Sequence, residues 1–247
     1  MKAKYSWTIL FILLTLQFIA GAQTQDSYDY NLEKTWGVNK NSAGGKIGGF
    51  VLKRAERISK NVFKTFGIEI MNVKNPHENR IQSLNGTGNY FIYGKSNYLY
   101  ALRFQYGRDI ILYTKAPQQG VEIKAVFAAG PTIGLVSPYY VEVATNSGSP
   151  FNSTFEPYNA DDKNQAVENI NGSGKILQGL FESKFQLGGN AKVALNFELG
   201  ASKHQVTGFE VGFLMDAYFK KVVMMPKNEN YSIYPTVFFT LFYGRRK

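Results

Sequence analysis

No cysteine occurs anywhere in the 247 residues. That excludes a disulfide-stapled secreted scaffold, and it removes the residue that an N-terminal lipid anchor would need. Histidine is nearly as scarce. With His77 and His204 alone, a site built on two or three histidines is excluded or strained, and no metal is expected. No nucleotide-binding loop and no nucleophile elbow can be found. Ser202-Lys-His204 could be imagined in a lipid hydrolase, but a solvated turn explains it better, so no catalytic residue and no cofactor are assigned. Long apolar runs are also missing beyond the first twenty residues; the late ones are broken by Glu210, Gly212 and Asp216. If such a chain enters a membrane it must do so as strands closed into a barrel, because open sheet edges cannot be satisfied in lipid.

The first residues are of a different kind. Lys2 and Lys4 precede an apolar stretch from Trp7 to Ala20, followed by Gly21, Ala22 and a polar continuation. A basic start, a short apolar centre and small residues at the end make residues 1–22 a cleavable signal peptide, and the stretch is short for a transmembrane helix. Residues 23–43 read as a polar leader and 44–247 as the folded domain. The net charge of +10 falls to +8 without Lys2 and Lys4. The basic residues are dispersed and the chain is exported, so nucleic acid is not expected; anionic lipid, lipopolysaccharide phosphate or a solvated surface fits better.

Period-2 alternation runs through the domain. Tyr98, Tyr100, Leu102, Phe104 and Tyr106 share one face of a strand, with Arg103 on the other. Glu122 and Lys124 oppose Val121, Ile123 and Phe127. Lys192 and Glu198 oppose Val193, Leu195 and Phe197, while Glu210 and Asp216 oppose Phe209, Val211 and Phe213. The last strand sets Val237, Phe239, Leu241 and Tyr243 on one face. An aromatic strand so near a terminus is expected where the last strand zips against the first. Eight strands are counted, at 46–54, 60–70, 97–113, 119–144, 175–186, 190–201, 205–219 and 234–244. Gly130-Pro131 is either a bulge or a turn, and a turn would lead toward ten strands, the tenth lying near Trp36. A helical reading of Leu52 to Phe63 competes locally.

These patterns predict an all-β fold, an antiparallel transmembrane meander barrel. Arg103, Glu122, Lys124, Lys192, Glu198, Glu210 and Asp216 are its lumen-facing charges. Tyr98, Tyr100, Phe104, Tyr106, Phe197, Phe209, Phe213, Phe239 and Tyr243 face lipid or form aromatic girdles. On the eight-strand count the long segments 71–96 and 145–174 fall on the same side as the termini, against the usual rule of short turns there. The alternative fold is a soluble periplasmic β-protein binding a lipid or other ligand.

The segments Tyr93-Gly-Lys-Ser-Asn97, Gly120-Val-Glu-Ile-Lys124 and Ser137-Pro-Tyr-Tyr140, with the terminal strand Val237 to Tyr243 and its basic tail, resemble the small outer-membrane β-barrel proteins of Bacteroidota. The type-IX-secretion-associated barrels are a more distant relative on the same grounds. The resemblance covers about residues 44–247 and implies a fold and an outer-membrane address but no reaction. It implies a non-enzymatic structural, assembly or interaction role, with membrane lipid, the barrel-assembly machinery and an envelope protein as partners. A narrow channel or transporter for small solutes is the other function such a barrel would serve.

Overall fold

The computed structural model describes residues 30–44, 48–85, 88–114, 120–145, 152–175, 177–199 and 204–247. The expected signal peptide, the first part of the leader and Ser202 lie outside them. Among the described residues thirteen strands follow one another: β1 Leu32–Asn41, β2 Gly49–Ser59, β3 Val62–Val73, β4 Arg80–Gln82, β5 Tyr90–Ile92, β6 Asn97–Tyr113, β7 Glu122–Pro138, β8 Tyr140–Ala144, β9 Ser153–Pro157, β10 Ile170–Ser173, β11 Lys184–Glu198, β12 Gln205–Tyr218 and β13 Ile233–Arg246. Eight of them close a barrel in the order β1-β13-β12-β11-β7-β6-β3-β2, every neighbouring pair antiparallel.

Closure fixes the geometry. Starting from Asn41, the pairing steps through Phe238, Gly212, Ala194, Val126, Asp109, Phe63 and Arg57. The Arg57 N–H then donates to the carbonyl of Asn31. One circuit therefore drops ten residues along the first strand, from 41 to 31. A shear of this size tilts eight strands by about 40° and leaves an interior just wide enough for side chains to fill.

The strand count is eight, but the strands differ from those read in the sequence. The barrel starts at Leu32, inside the stretch taken as a polar leader, and β1 is the partner that β13 zips against. The segments 175–186 and 190–201 are not two strands. A single strand, β11, runs through Gly188-Gly-Asn190, which is no tight connection. Glycine is needed there because a Cβ at Gly188 would sit 2.4 Å from the Ala217 carbonyl oxygen and against the Tyr218 ring. Leu52 lies in strand β2, not in a helix, since its ladder to β1 and β3 decides the local ambiguity.

Gly130-Pro131 sits inside β7 as neither hairpin nor strand end. The ladder from β6 skips Phe104 and Gln105 opposite this dipeptide, as expected of a residue without an N–H. The β6 backbone still presses close: a Cβ at Gly130 would lie 2.1 Å from the Phe104 carbonyl oxygen. The Asn190 amide bridges the gap, its Nδ2 lying 3.1 Å from the Gly130 and Pro131 carbonyl oxygens and 2.9 Å from Thr132 Oγ1. At its far end β7 gives way after Pro138 to β8, which leaves the barrel and joins a separate three-stranded sheet, β10-β8-β9.

Adding β1 at the front reverses the sense of every later strand up to β7. Tyr30 and Lys247, the ends of the described chain, share one end of the barrel with the junctions between β2 and β3, β6 and β7, and β11 and β12. The opposite end carries 42–48, 74–96, 139–183 and 219–232. The long segments are therefore on the side away from the termini, opposite to the sequence expectation.

Candidate functional site

Inside and outside are set by the pleat. Along all eight barrel strands, residues pointing inward alternate with residues pointing outward. Among the described residues the inward rows bring together five ion-paired cations, Lys53, Arg103, Lys124, Lys192 and Arg246, and seven carboxylates, Glu33, Glu69, Asp109, Glu122, Glu198, Glu210 and Asp216, while Arg57 at the terminal rim lies over the Tyr30 and Phe63 rings. Charges removed from water survive only when paired, and these pair across the lumen in three tiers.

Nearest the termini, Arg246 reaches Glu33 at 3.0 Å and Glu122 at 3.2 Å and forms a tight ion pair with Glu198. Lys124 shares Glu33 and Glu122 at 3.1 and 3.2 Å. In the middle tier Lys53 contacts Asp109 at 2.6 Å and Glu210 at 3.5 Å, and Lys192 contacts Glu210 at 2.6 Å. In the third tier Arg103, with no exposed surface, donates two bonds from Nε and Nη2 to Asp216 at 2.9 and 2.5 Å and one from Nη1 to Glu69 at 2.6 Å. Asn39 donates to the same Glu69 oxygen at 2.8 Å. All seven charges singled out in the sequence are thus buried in this network.

The sequence reading missed Arg246, Glu33, Glu69, Asp109 and Lys53 as members. The sequence pattern puts Arg246 in a basic tail and Glu33 in the polar leader. Extending the alternation of β13 by two positions, from Phe242 through Gly244, would have placed Arg246 inward.

Both mouths are closed. At the terminal end Tyr30 stacks on Phe63 with ring centroids 4.9 Å apart, packed with Ala55 and Ile111, and the Arg246 guanidinium lies 3.8 Å from the Tyr30 ring centre. At the far end the connection 219–232 turns into the mouth. Its Val222, Met224 and Met225 pack on Val73, Leu99, Ala101, Tyr218 and Tyr234. Asn230 shapes that turn by accepting from the Met224 and Met225 N–H groups at 2.8 and 3.1 Å.

Outside, the rows are apolar. Trp36, Val38, Leu52, Ile68, Phe104, Tyr106, Phe127, Val193, Val211, Phe239 and Leu241 are all exposed, and Phe213 keeps 70% of its surface open. Phe197, Phe209 and Phe239 stack in series with centroids 4.9 and 5.6 Å apart, which leaves the first two half-buried by their neighbours. Tyr243 packs edge-on against Trp36 at 6.0 Å. Tyr98 differs from the girdle role expected of it: it is half-buried between the Lys95 ammonium, 4.2 Å from its ring centre, and the edge of Tyr139 at 5.2 Å, with Tyr100 beside it at 5.8 Å.

Those contacts belong to a folded cap on the end away from the termini. The hairpin β4–β5 and the sheet β10-β8-β9 enclose Phe91, Tyr139, Val141, Val143, Tyr158 and Ile170. The Tyr139 hydroxyl accepts from the Ile92 N–H at 2.9 Å, and Ser83 Oγ donates to the Ile170 carbonyl at 2.7 Å. Burial pushes the Tyr139 phenol up to about 12. Lys95 is buried against Glu78 at 2.8 Å, and burial lowers its pKa below the usual lysine range although Glu78 opposes the shift. Among the described residues no three histidine, cysteine or acidic side chains gather as a metal site.

No family model and no curated protein matches the sequence. Solved structures that resemble it include Ail, the attachment invasion locus protein of Yersinia pestis, with a TM-score of 0.38, 8% identity and coverage of 89% of this chain and 100% of that one. The N-terminal β-barrel domain of Pseudomonas aeruginosa OprF gives 0.37, 9%, 88% and 98%. Neisserial surface protein A gives 0.35, 10%, 88% and 95%.

Proposed function

We propose that the chain is an outer-membrane β-barrel protein with a non-enzymatic structural or interaction role, exported by cleavage after residue 22, and that its folded cap makes the contacts. The observation that carries this reading is the inversion of the barrel. Twelve charges lie inside, while large apolar side chains such as Phe213, Phe239 and Leu241 form the outer surface. A water-soluble barrel would place them the other way. An exposed apolar surface that encircles a closed sheet is far larger than the patches soluble monomers carry, and lipid is the environment that suits it. Outward cations border the band, Lys34, Arg54, Lys64 and Arg108 toward the termini and Lys40 at the other rim, where their stems can lie along the apolar surface and their charges reach headgroups. The lumen's seven carboxylates outnumber its buried cations, so the net +8 that remains without Lys2 and Lys4 resides outside it, available to anionic lipid. The segments quoted for the Bacteroidota resemblance support a lineage of that kind, and the barrel-assembly machinery is the partner such an insertion requires.

The two closed mouths and the three ionic tiers favour this role over a channel. The test is fractionation of producing cells, a detergent gel with and without boiling, and reconstitution in planar bilayers. Recovery with the outer membrane, a heat-dependent shift in mobility and no steady conductance are expected. A soluble periplasmic product without a shift overturns the membrane barrel, and stable single-channel steps overturn the closed lumen.

A further inference from the structure

The register of the barrel sets outward residues in rows that cross the strands. One row is Lys34, Arg54, Phe66 and Tyr106; the next, two residues farther from the terminal end, is Trp36, Leu52, Ile68 and Phe104. Between them a groove of about 550 Å³ crosses the outer wall. Thr35, Lys53, Gly67 and Gln105 also line it. They alternate with the outward rows, so they lend the groove their backbone as a floor. Gly130-Pro131 closes it on β7, where the ladder from β6 is interrupted. Two rings on its lower side are held toward the terminal rim, which keeps it open. Lys64 Nζ lies 5.3 Å from the Phe66 ring centre, the Arg108 guanidinium lies 5.2 Å from that of Tyr106, and Arg108 Nη1 donates to the Tyr106 hydroxyl at 3.0 Å.

Inclination and charge decide what fits. Rows of register partners run across the strands, so in a barrel whose strands tilt by about 40° they climb. From β1 through β2, β3 and β6 to β7 the climb is away from the terminal end, the reverse of the circuit that drops from 41 to 31. Four strand steps of about 4.8 Å make the groove about 19 Å long with a rise of about 12 Å. One leaflet of a bilayer core is about 15 Å deep. The low end of the groove is basic, with Lys34 and Arg54 in its lining and Lys64 and Arg108 beside it; the high end, at Phe104 and Pro131, is apolar. Among the described residues of this rim one carboxylate, Glu56, answers the four cations, 2.5 Å from Arg54 and 3.7 Å from Lys64. A second copy of the chain docked here by two-fold symmetry would set this cation cluster against itself.

We infer that the groove seats one anionic phospholipid of the leaflet at the terminal end. An acyl chain lies between the two rows, and the headgroup phosphate lies among Lys34, Arg54 and their basic neighbours, so phosphatidylglycerol is preferred to zwitterionic phosphatidylethanolamine. The inference rests on the outer surface lying in lipid, and adds to it a fixed site with a headgroup preference.

Trp36 provides the readout. It is the only tryptophan once residues 1–22 are removed, and it adjoins the groove as the register partner of Leu52. The mature chain is folded into phosphatidylcholine vesicles, and Trp36 fluorescence is followed with lipids brominated on their acyl chains, which quench on contact. Vesicles made wholly of brominated phosphatidylcholine are expected to quench it strongly; an unquenched signal there overturns the membrane reading and the site with it. At equal, low mole fractions in unbrominated phosphatidylcholine, brominated phosphatidylglycerol is expected to quench with about fivefold higher apparent affinity than brominated phosphatidylethanolamine, the size of one basic residue's attraction at a membrane surface. Equal quenching by the two, with the bulk quenching intact, overturns the site and leaves the membrane barrel standing. Lys34→Gln/Arg54→Gln is expected to abolish the preference. Leu52→Phe/Ile68→Phe, which fills the groove and keeps every cation, is expected to abolish it as well. All four side chains point outward, so the heat-modifiable band is expected to be that of the parent. A preference that survives the first pair overturns the headgroup assignment, and one that survives the second reduces the site to a charged rim and overturns the seated chain. Displacement of brominated phosphatidylglycerol by lipid A at a lower mole fraction than by unbrominated phosphatidylglycerol would give the groove to a different lipid and overturn the assignment.

Discussion

Arg103 shows how the interior is held, and why single residues in it matter. It bonds Asp216 and Glu69 with no water-exposed surface on any of the three. Removing the guanidinium leaves two carboxylates buried close together, the situation in which breaking a buried ion pair costs about 3–5 kcal/mol. Arg103→Leu is therefore expected to lower the urea midpoint of the refolded barrel markedly, and Arg103→Leu/Glu69→Gln/Asp216→Asn to recover much of the loss. A single variant as stable as the parent would show that the tier is not buried as described. Outside the spanning strands, Lys95 makes a pH prediction. Its folded pKa is lowered by burial, so between that value and about 10.4, the ordinary value for lysine, the unfolded chain binds more protons than the folded one. Stability from this group therefore rises with pH across that window and is flat below it. The cap is expected to resist proteinase K better near pH 10 than near pH 8, and this difference should vanish in Lys95→Met/Glu78→Gln. A difference that persists in the double variant would assign it to other groups. The seven lumen charges were legible because each interrupts an apolar alternation within a clear strand; Glu33 and Arg246 were not, because each stands where one face of the pattern runs out.

Strand β1 was the element least legible in the sequence. Its inward positions are Glu33, Thr35, Gly37, Asn39 and Asn41, and outward it offers only Trp36 and Val38 between Lys34 and Lys40. A strand whose inner face meets an ionic lumen has no reason to look amphipathic in the ordinary sense, and its register comes from β13 and β2 on either side. The break at Gly130-Pro131 was visible as a difficulty but not as a solution, since the solution is supplied by Asn190 from the next strand, beyond any local signal. Two substitutions separate the parts. Gly130→Val places a side chain on the Phe104 carbonyl and is expected to abolish the heat-modifiable form. Asn190→Ala removes the bridge to the Gly130 and Pro131 carbonyls and to Thr132 and is expected to cost about 1–3 kcal/mol while leaving the fold intact. If Gly130→Val folds normally, β6 and β7 do not approach each other as closely as described.

At the scale of the whole molecule, one strand decides which end of the barrel carries the long connections. Without β1 the parity of the chain puts 74–96 and 139–183 beside the termini; with it they lie opposite, at the end that carries the cap. The connections at the terminal end are short, 60–61 being a two-residue turn, as expected where barrels of this kind face the periplasm. The absence of cysteine makes the orientation directly measurable, because any introduced thiol is the only one present. Leu84 in the connection 74–96 is 68% exposed, and Asn61 is exposed in the turn at the other end. Both replacements sit in connections, so neither should disturb the barrel. In intact cells a membrane-impermeant maleimide is expected to label Leu84→Cys and to spare Asn61→Cys, which should label only after the outer membrane is opened. The reverse pattern would turn the barrel over and put the cap in the periplasm. Equal labelling of both in spheroplast supernatants, with no membrane-bound fraction, would remove the membrane altogether.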